Sequence, residues 1–189
     1  MLAEVLATSS KSLLKILEQL LEKLSEDYNN KVFAPILEAD IVGYLYHLWI
    51  EHFKSAKNIH LDTRICISTN EKFDLVIGSL DYHSKRPCIS KPEFIIEFKT
   101  FPIGFSDPQH RVHYHHVIDD DIPKLTKIKQ PLKGRFILLF DEDDYLKGLD
   151  RTNNTSRLNR IKRVRNEHDP LIQIINMKKI EKKLQREII

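Results

Sequence analysis

Glycine is scarce, with five in 189 residues, and none falls in a G-x-G-x-x-G or G-x-x-x-x-G-K-[S/T] pattern. Loops that cradle phosphates through glycine backbone are therefore not expected, nor are the nucleotide folds built on them. Cysteine is scarcer still. Cys66 and Cys88 are too few for a disulfide framework or a cysteine-rich zinc site, so a reducing cytoplasm is the expected compartment. No apolar run approaches the roughly 18 residues that a membrane-spanning helix needs. The N-terminal stretch lacks a basic leader region and continues as an amphipathic pattern, so no signal peptide is expected. Ser9, Ser10 and Ser68 have no G-x-S-x-G setting, which removes support for a serine hydrolase.

What remains is the composition of a globular chain, 41% hydrophobic and 30% charged. The charge is unevenly placed. Residues 147–189 hold 12 Lys or Arg against 5 Asp or Glu, while residues 1–146 hold 18 against 22. A basic tail on a mildly acidic body suits an anionic partner, most simply nucleic acid; a solvated lysine-rich helix is the alternative.

Periodicity divides the chain. Leu13, Leu17, Leu20 and Leu24, widened by Leu14 and Leu21, predict a helix over 9–27 that covers a sheet. A second helix is expected from Pro35 to Phe53, with Ile41, Leu45, Leu48 and Trp49 on its apolar face and Glu38 on that same face. Strands are read at 60–68, 72–79, 93–99, 134–140 and 171–176, with a polar proline-containing stretch at 81–92. A helical pattern near Ile118, Ile122, Leu125 and Ile128 contains Pro123. A short basic helix is expected over 156–166 and a last helix over MKKIEKKLQREI. The fold class is α/β, a mixed central sheet flanked by helices.

Two strands carry unusual residues. In EFIIEFK, Glu97 and Lys99 share one face while Ile96 and Phe98 share the other. Asp74 opens the preceding strand, FDLVIGS, and a hairpin brings it to Glu97 and Lys99. Charges in apolar strands are costly unless paired or metal-bound. Two carboxylates offer hard oxygen ligands of the kind Mg²⁺ takes, and a lysine beside them can orient or deprotonate a water. Glu38 can reach the same cluster. The alternative is a structural ion pair of Lys99 with Glu97 or Asp74.

This pattern resembles the PD-(D/E)XK nuclease superfamily, with its restriction-endonuclease-like fold. The matching residues are Asp74 and the Glu97-Phe98-Lys99 triplet, with 22 residues between Asp74 and Glu97. Glu38 is similar to the acidic residue many members carry on an earlier helix. DIPKLTK is similar to the helix after the active-site strand, and GRFILLFD to the next core strand. The resemblance spans about residues 35–141. Phe73 stands where the family name places proline, and Gln109 matches only weakly the glutamine motif of the RecB-like branch.

The resemblance implies a single nuclease-like domain over 1–189 that hydrolyses phosphodiester bonds, with DNA the expected substrate. Asp74, Glu97 and Glu38 would hold Mg²⁺, with Mn²⁺ able to substitute, and Lys99 would position the water. Arg157, Arg160, Lys162, Arg163 and Arg165, with the last helix, are the expected nucleic-acid contacts. A homodimer is compatible, since a duplex offers two strands to cut. The alternatives are an inactive nucleic-acid-binding or assembly protein on the same fold, or a scaffold with no nucleic-acid role.

Other clusters have plainer readings. His110, His113, His115 and His116 read as an exposed polar loop or helix start, with a Zn²⁺ or Ni²⁺ site or a place near the scissile phosphate as alternatives. Asp119, Asp120 and Asp121 read as an acidic helix N-terminus, and Asp141 to Asp144 as a solvated turn.

Overall fold

The computed structural model describes residues 10–35, 37–54, 58–66, 71–81, 88–180 and 183–188. One six-stranded sheet organises them, in the order β1-β2-β3-β4-β7-β8. The strands are β1 (Ile59–Thr63), β2 (Phe73–Asp81), β3 (Cys88–Phe101), β4 (Gly134–Asp141), β7 (Ile172–Ile180) and β8 (Lys183–Ile188), while β5 (Leu149–Asp150) and β6 (Thr155–Ser156) pair in a small sheet of their own. The pairs β3/β4 and β4/β7 are parallel and the other three antiparallel, so the sheet is mixed as expected.

Helices α1 (Ser10–Asn29) and α2 (Glu38–Phe53) cover one face. Leu17, Leu20, Leu21 and Leu24 of α1, and Ile41, Leu45, Leu48 and Trp49 of α2, are all buried there against Phe94, Ile96, Phe98 and Phe136. The side chains of Leu13 and Leu14 lie outside the described residues. Helix α2 begins three residues later than the sequence suggests. The Asp40 carboxylate accepts the Leu37 N–H at 2.8 Å, which caps the helix there and makes Glu38 its first residue.

The second face is covered by α3 (Asp107–His116), α4 (Ile122–Thr126) and α5 (Arg157–His168). Between α3 and α4 the chain makes a π-helical turn, Val117–Asp121, with the Ile122 N–H reaching the Val117 carbonyl. The wider turn lets the helical path continue into Pro123, which lacks an N–H and would clash in a regular α-helix. The pattern at Ile118, Ile122, Leu125 and Ile128 is thus helical despite the proline, and all four are buried.

Several expectations need correction. Strand β3 begins at Cys88, so half of the stretch read as polar is sheet; residues 82–87 lie outside the described set. Pro92 is tolerated because the β2/β3 register shifts beside it, opposite Gly78. A Cβ on Gly78 would meet the Lys91 carbonyl oxygen at 2.5 Å and the Pro92 Cα at 2.7 Å, so only glycine permits this approach. Strand β1 ends at Thr63, with an isolated bridge from Ile65 to Ile89 beyond it; the 67–68 end of the predicted strand, Ser68 included, lies outside the described residues, as does Ser9. Cys66 and Cys88 form a disulfide beside that bridge, with Cα atoms 5.0 Å apart.

The largest correction is at the C-terminus. The predicted last helix is the β7–β8 hairpin, with Met177 opposite Arg186. Ile174, Asn176 and Met177 are buried in the sheet, and pairing there outweighs the helix propensity of the Lys- and Glu-rich tail. Strand β8 is an edge dressed with Lys and Arg, which blunts edge-to-edge association. Arg186 ties it to α1 by donating to the Glu18 carbonyl at 3.3 Å.

Candidate active site

The β2/β3 register places Leu75 opposite Ile96, which sets Asp74 beside Glu97. Ile96 and Phe98 point into the α1–α2 core, while Ile95 and Phe101 point to the α3–α5 side. Alternation therefore carries Glu97 and Lys99 to the α3–α5 side. Glu38, at the first turn of α2, reaches the same place, so all four sequence-assigned residues come together.

Each carboxylate is engaged. Asp74 accepts the Phe98 N–H at 2.8 Å. The Lys99 ammonium donates to the Phe98 carbonyl at 2.8 Å and to Glu38 Oε1 at 3.4 Å, and lies 3.3 Å from Asp121 Oδ2. Glu97, only 1% exposed, has its Oε1 2.6 Å from the Lys124 ammonium. The Lys124 ammonium also lies 4.7 Å from the centroid of the Phe73 ring.

Asp121 and Lys124 are thus site residues that sequence reading missed. Asp121 is buried in the π-helical turn rather than displayed at an exposed helix start. A signal existed. Tyr114, Val117, Ile118, Leu125 and Ile128 form an apolar stripe, and Asp121 falls on it at helical spacing, as Glu38 does before Ile41.

The cluster holds four carboxyls and two ammoniums. Burial, then repulsion from Asp74, pushes Glu97 up to about 9 despite Lys124. Burial also raises Glu38 to about 7, against the pull of Lys99. Asp121 is raised by burial as well. Burial alone would lower Lys99; Asp121, Glu38 and Asp74 outweigh it, and Lys99 stays firmly cationic. Glu97 Oε1 and Asp121 Oδ2 are buried, each with a lysine ammonium as its partner. Four carboxyls against two ammoniums form an oxygen-rich set of the kind that suits a hard divalent cation. Among the described residues, no three His, Cys, Asp or Glu side chains converge as a ligand set in this arrangement. Ligation by Glu97 has to displace Lys124.

The raised acid has a consequence for stability. Between pH 7 and 9 the folded chain keeps a proton on Glu97 that the unfolded chain has already lost. Stability therefore falls as pH rises through this window. In EDTA the melting temperature is expected to drop by several degrees from pH 7 to 9, and Glu97→Gln to flatten that slope. An equal slope in both proteins contradicts the assignment of the raised acid to Glu97.

The basic residues of α5 do not form one free face. Arg165 donates to the Pro170 and Ile172 carbonyls at 3.2 and 3.1 Å, closing the turn into β7. Arg163 pairs with Glu167 at 2.9 Å. Arg160 and Lys162 are half-buried. Arg157 turns inward, its guanidinium carbon 3.8 Å from the centre of the Tyr145 ring. Arg165→Gln is expected to lower the melting temperature by about 2–4 °C, for roughly 1 kcal/mol of lost hydrogen bonding, before any effect on ligand affinity. Thermal denaturation of the variant checks this.

The histidines also depart from the exposed reading. His110 is buried, stacked 4.7 Å from Tyr145, with Nε2 3.3 Å from Asp143. Burial lowers its pKa. The His113 ring lies 2.8 Å from the Thr100 carbonyl through Nδ1, while His115 and His116 are exposed. Asp141 is no solvated turn residue. It is 1% exposed and accepts the Tyr145 and Leu146 N–H groups, and burial raises it to about 7.

No family model matches the chain, and no curated protein does. Among solved structures, SfsA of Pyrococcus furiosus in complex with Ca²⁺ is similar in fold, with 14% identity and a TM-score of 0.33. The match covers 79% of this chain and spans 61% of that one. A likeness at that level carries no argument about chemistry, which rests here on the side chains. Among the described residues no helix is long and apolar enough to cross a membrane.

Proposed function

We propose that the protein is a metal-dependent nuclease of the PD-(D/E)XK type. One observation carries this reading: Asp74, Glu97 and Lys99, on adjacent antiparallel strands of an apolar sheet, meet Glu38 and Asp121 around a buried, electron-rich centre. Asp74, Glu97 and Glu38 are the residues that would hold Mg²⁺ or Mn²⁺, with Asp121 adjoining. A divalent cation bound there supplies Lewis-acid polarisation of a phosphoryl oxygen and a water acidic enough to attack.

The protein's own groups have distinct parts. Lys99, held cationic by its carboxylate neighbours, acts as a charged donor that orients the water and offsets developing phosphoryl charge. It is not the base. Glu38, raised to about 7 by burial in the metal-free protein, would give up its proton on taking a cation. Lys124 balances Glu97 in the resting protein and becomes a second cation for the substrate once displaced. Burial keeps the local dielectric low, which strengthens each of these interactions.

A second reading has one observation in its favour. The 2.6 Å Lys124–Glu97 pair completes a self-sufficient ion network of the kind an inactive nucleic-acid-binding or assembly protein on this fold would keep. Incubation with labelled single-stranded DNA, duplex DNA and RNA in Mg²⁺ separates the two. The nuclease reading predicts cleavage of at least one substrate; binding without cleavage on all three supports the second.

A further inference from the structure

A cavity of about 430 Å³ opens where α3, the Tyr145–Lys147 turn and the start of α5 meet. Its lining includes Asp107, Arg111, Tyr145, Asp150, Arg151 and Arg157. Its residues on α3 lie six to fourteen residues before Asp121 along the same helical path, roughly 10–20 Å away at about 1.5 Å per residue. It is a separate place from the carboxylate cluster.

Arg157 is fixed in this cavity. Its guanidinium stacks on Tyr145, and Nη1 donates to the Tyr145 carbonyl at 2.9 Å. Gly148 makes the room: a Cβ there would fall 2.2 Å from Nη1. The other nitrogen, Nη2, reaches only Asp107, at 3.5 Å. A planar fork held this way loses little entropy on binding an oxyanion.

Two further donors have capacity left. Tyr145 is 8% exposed, and its hydroxyl, approached by the Arg111 guanidinium, has no acceptor for its own proton among the described residues. A buried hydroxyl left so costs free energy unless a ligand satisfies it. Arg151 is exposed and forms no ion pair among the described residues. The nearby acids are shared among several donors and offset these cations only in part. Asp150 is committed to the Tyr114 hydroxyl at 2.8 Å, the Thr152 N–H at 2.9 Å and Asn153 at 3.1 Å. Asp107 holds Arg111 at 2.9 Å.

The donors open to a ligand are Arg157 Nη2, whose contact with Asp107 is long at 3.5 Å, a second guanidinium and a phenol. Their complement is a small dianion with several acceptor oxygens. We propose that this cavity binds a phosphomonoester group through Arg157, Arg151 and the Tyr145 hydroxyl. The volume falls within the range of small-molecule sites and exceeds what a lone phosphate fills, so the group arrives attached to a nucleoside-sized body. That body is either a free mononucleotide or the 5′-terminal nucleotide of a strand.

Calorimetric titration of the full chain in EDTA tests this, with inorganic phosphate, AMP and adenosine as probes. Hexathymidylate bearing a 5′-phosphate or a 5′-hydroxyl forms the second arm. Arg151→Gln removes an exposed side chain with no ion pair among the described residues, and Tyr145→Phe removes only a hydroxyl, so both variants are expected to fold. The wild type is expected to bind AMP at least tenfold tighter than adenosine, and each variant to lose at least tenfold of that affinity. Glu97→Gln is expected to bind as the wild type does, so the result stands apart from the nuclease reading. At least tenfold preference for the 5′-phosphorylated strand, lost in both variants, assigns the group to a strand end; AMP binding without that preference assigns it to a free nucleotide. The proposal is overturned if AMP binds no better than adenosine and the two strands bind equally, or if both variants bind as the wild type does.

Discussion

Asp74→Asn and Glu97→Gln are each expected to lower single-turnover cleavage by about 10³-fold, equivalent to about 4 kcal/mol of transition-state stabilisation. Both changes keep side-chain volume and remove a charge that a cation needs. The fold is expected to survive. Asp74 Oδ2 accepts one backbone N–H, and the asparagine carbonyl can still accept it. Glu97 is buried at an energetic penalty, and the amide relieves it. Loss of activity with unchanged circular dichroism supports the assignment; cleavage at the wild-type rate in both variants removes it. Lys99→Gln is the sharper probe of role. A cationic donor predicts a loss that does not recover as pH rises, whereas a lysine base would give a rate climbing with pH toward the lysine range.

Metal is expected to stabilise the protein strongly. A ligand at 100 times its dissociation constant adds about 2.7 kcal/mol to folding. For a chain of this size that corresponds to about 5–10 °C in melting temperature. The effect should grow from pH 7 to 9, because ligation requires Glu97 to lose its proton. Differential scanning fluorimetry in Mn²⁺, Mg²⁺ and EDTA reads it directly. Glu97→Gln is expected to lose most of the shift. A wild-type melting temperature unmoved by saturating Mn²⁺ at pH 8 contradicts a cation site in the cluster.

The parts of this arrangement legible in sequence are those set by short-range periodicity. FDLVIGS, EFIIEFK and GRFILLF read as strands because β-branched and aromatic residues run without interruption, and all three lie in the buried middle of the sheet. Alternation then put Glu97 and Lys99 on one face without any knowledge of tertiary structure. Glu38 was visible as an acid on an otherwise apolar stripe. Asp121 obeyed the same rule but was masked by two neighbouring aspartates and by Pro123, which hid the helix behind a π-helical turn. Lys124 depends on Asp121 being placed first.

Other features depend on partners distant in sequence. The C-terminal MKKIEKKLQREI has good helix formers, and only the docking of β7 on β4 makes it strand. The Cys66–Cys88 bridge follows from the Ile65–Ile89 contact, a pairing of residues distant in sequence that no local rule predicts. Arg157 and Arg165 read in sequence as nucleic-acid contacts; a stacked tyrosine and two backbone carbonyls turn them to other tasks.

The most direct test is cleavage of end-labelled DNA and RNA by wild type and Glu97→Gln, purified in parallel, with Mg²⁺, Mn²⁺ or EDTA. The account predicts wild-type cleavage of at least one substrate with either metal, none in EDTA, and about 10³-fold less in the variant. Equal cleavage by the two proteins, or none by the wild type on any substrate with either metal, would contradict it.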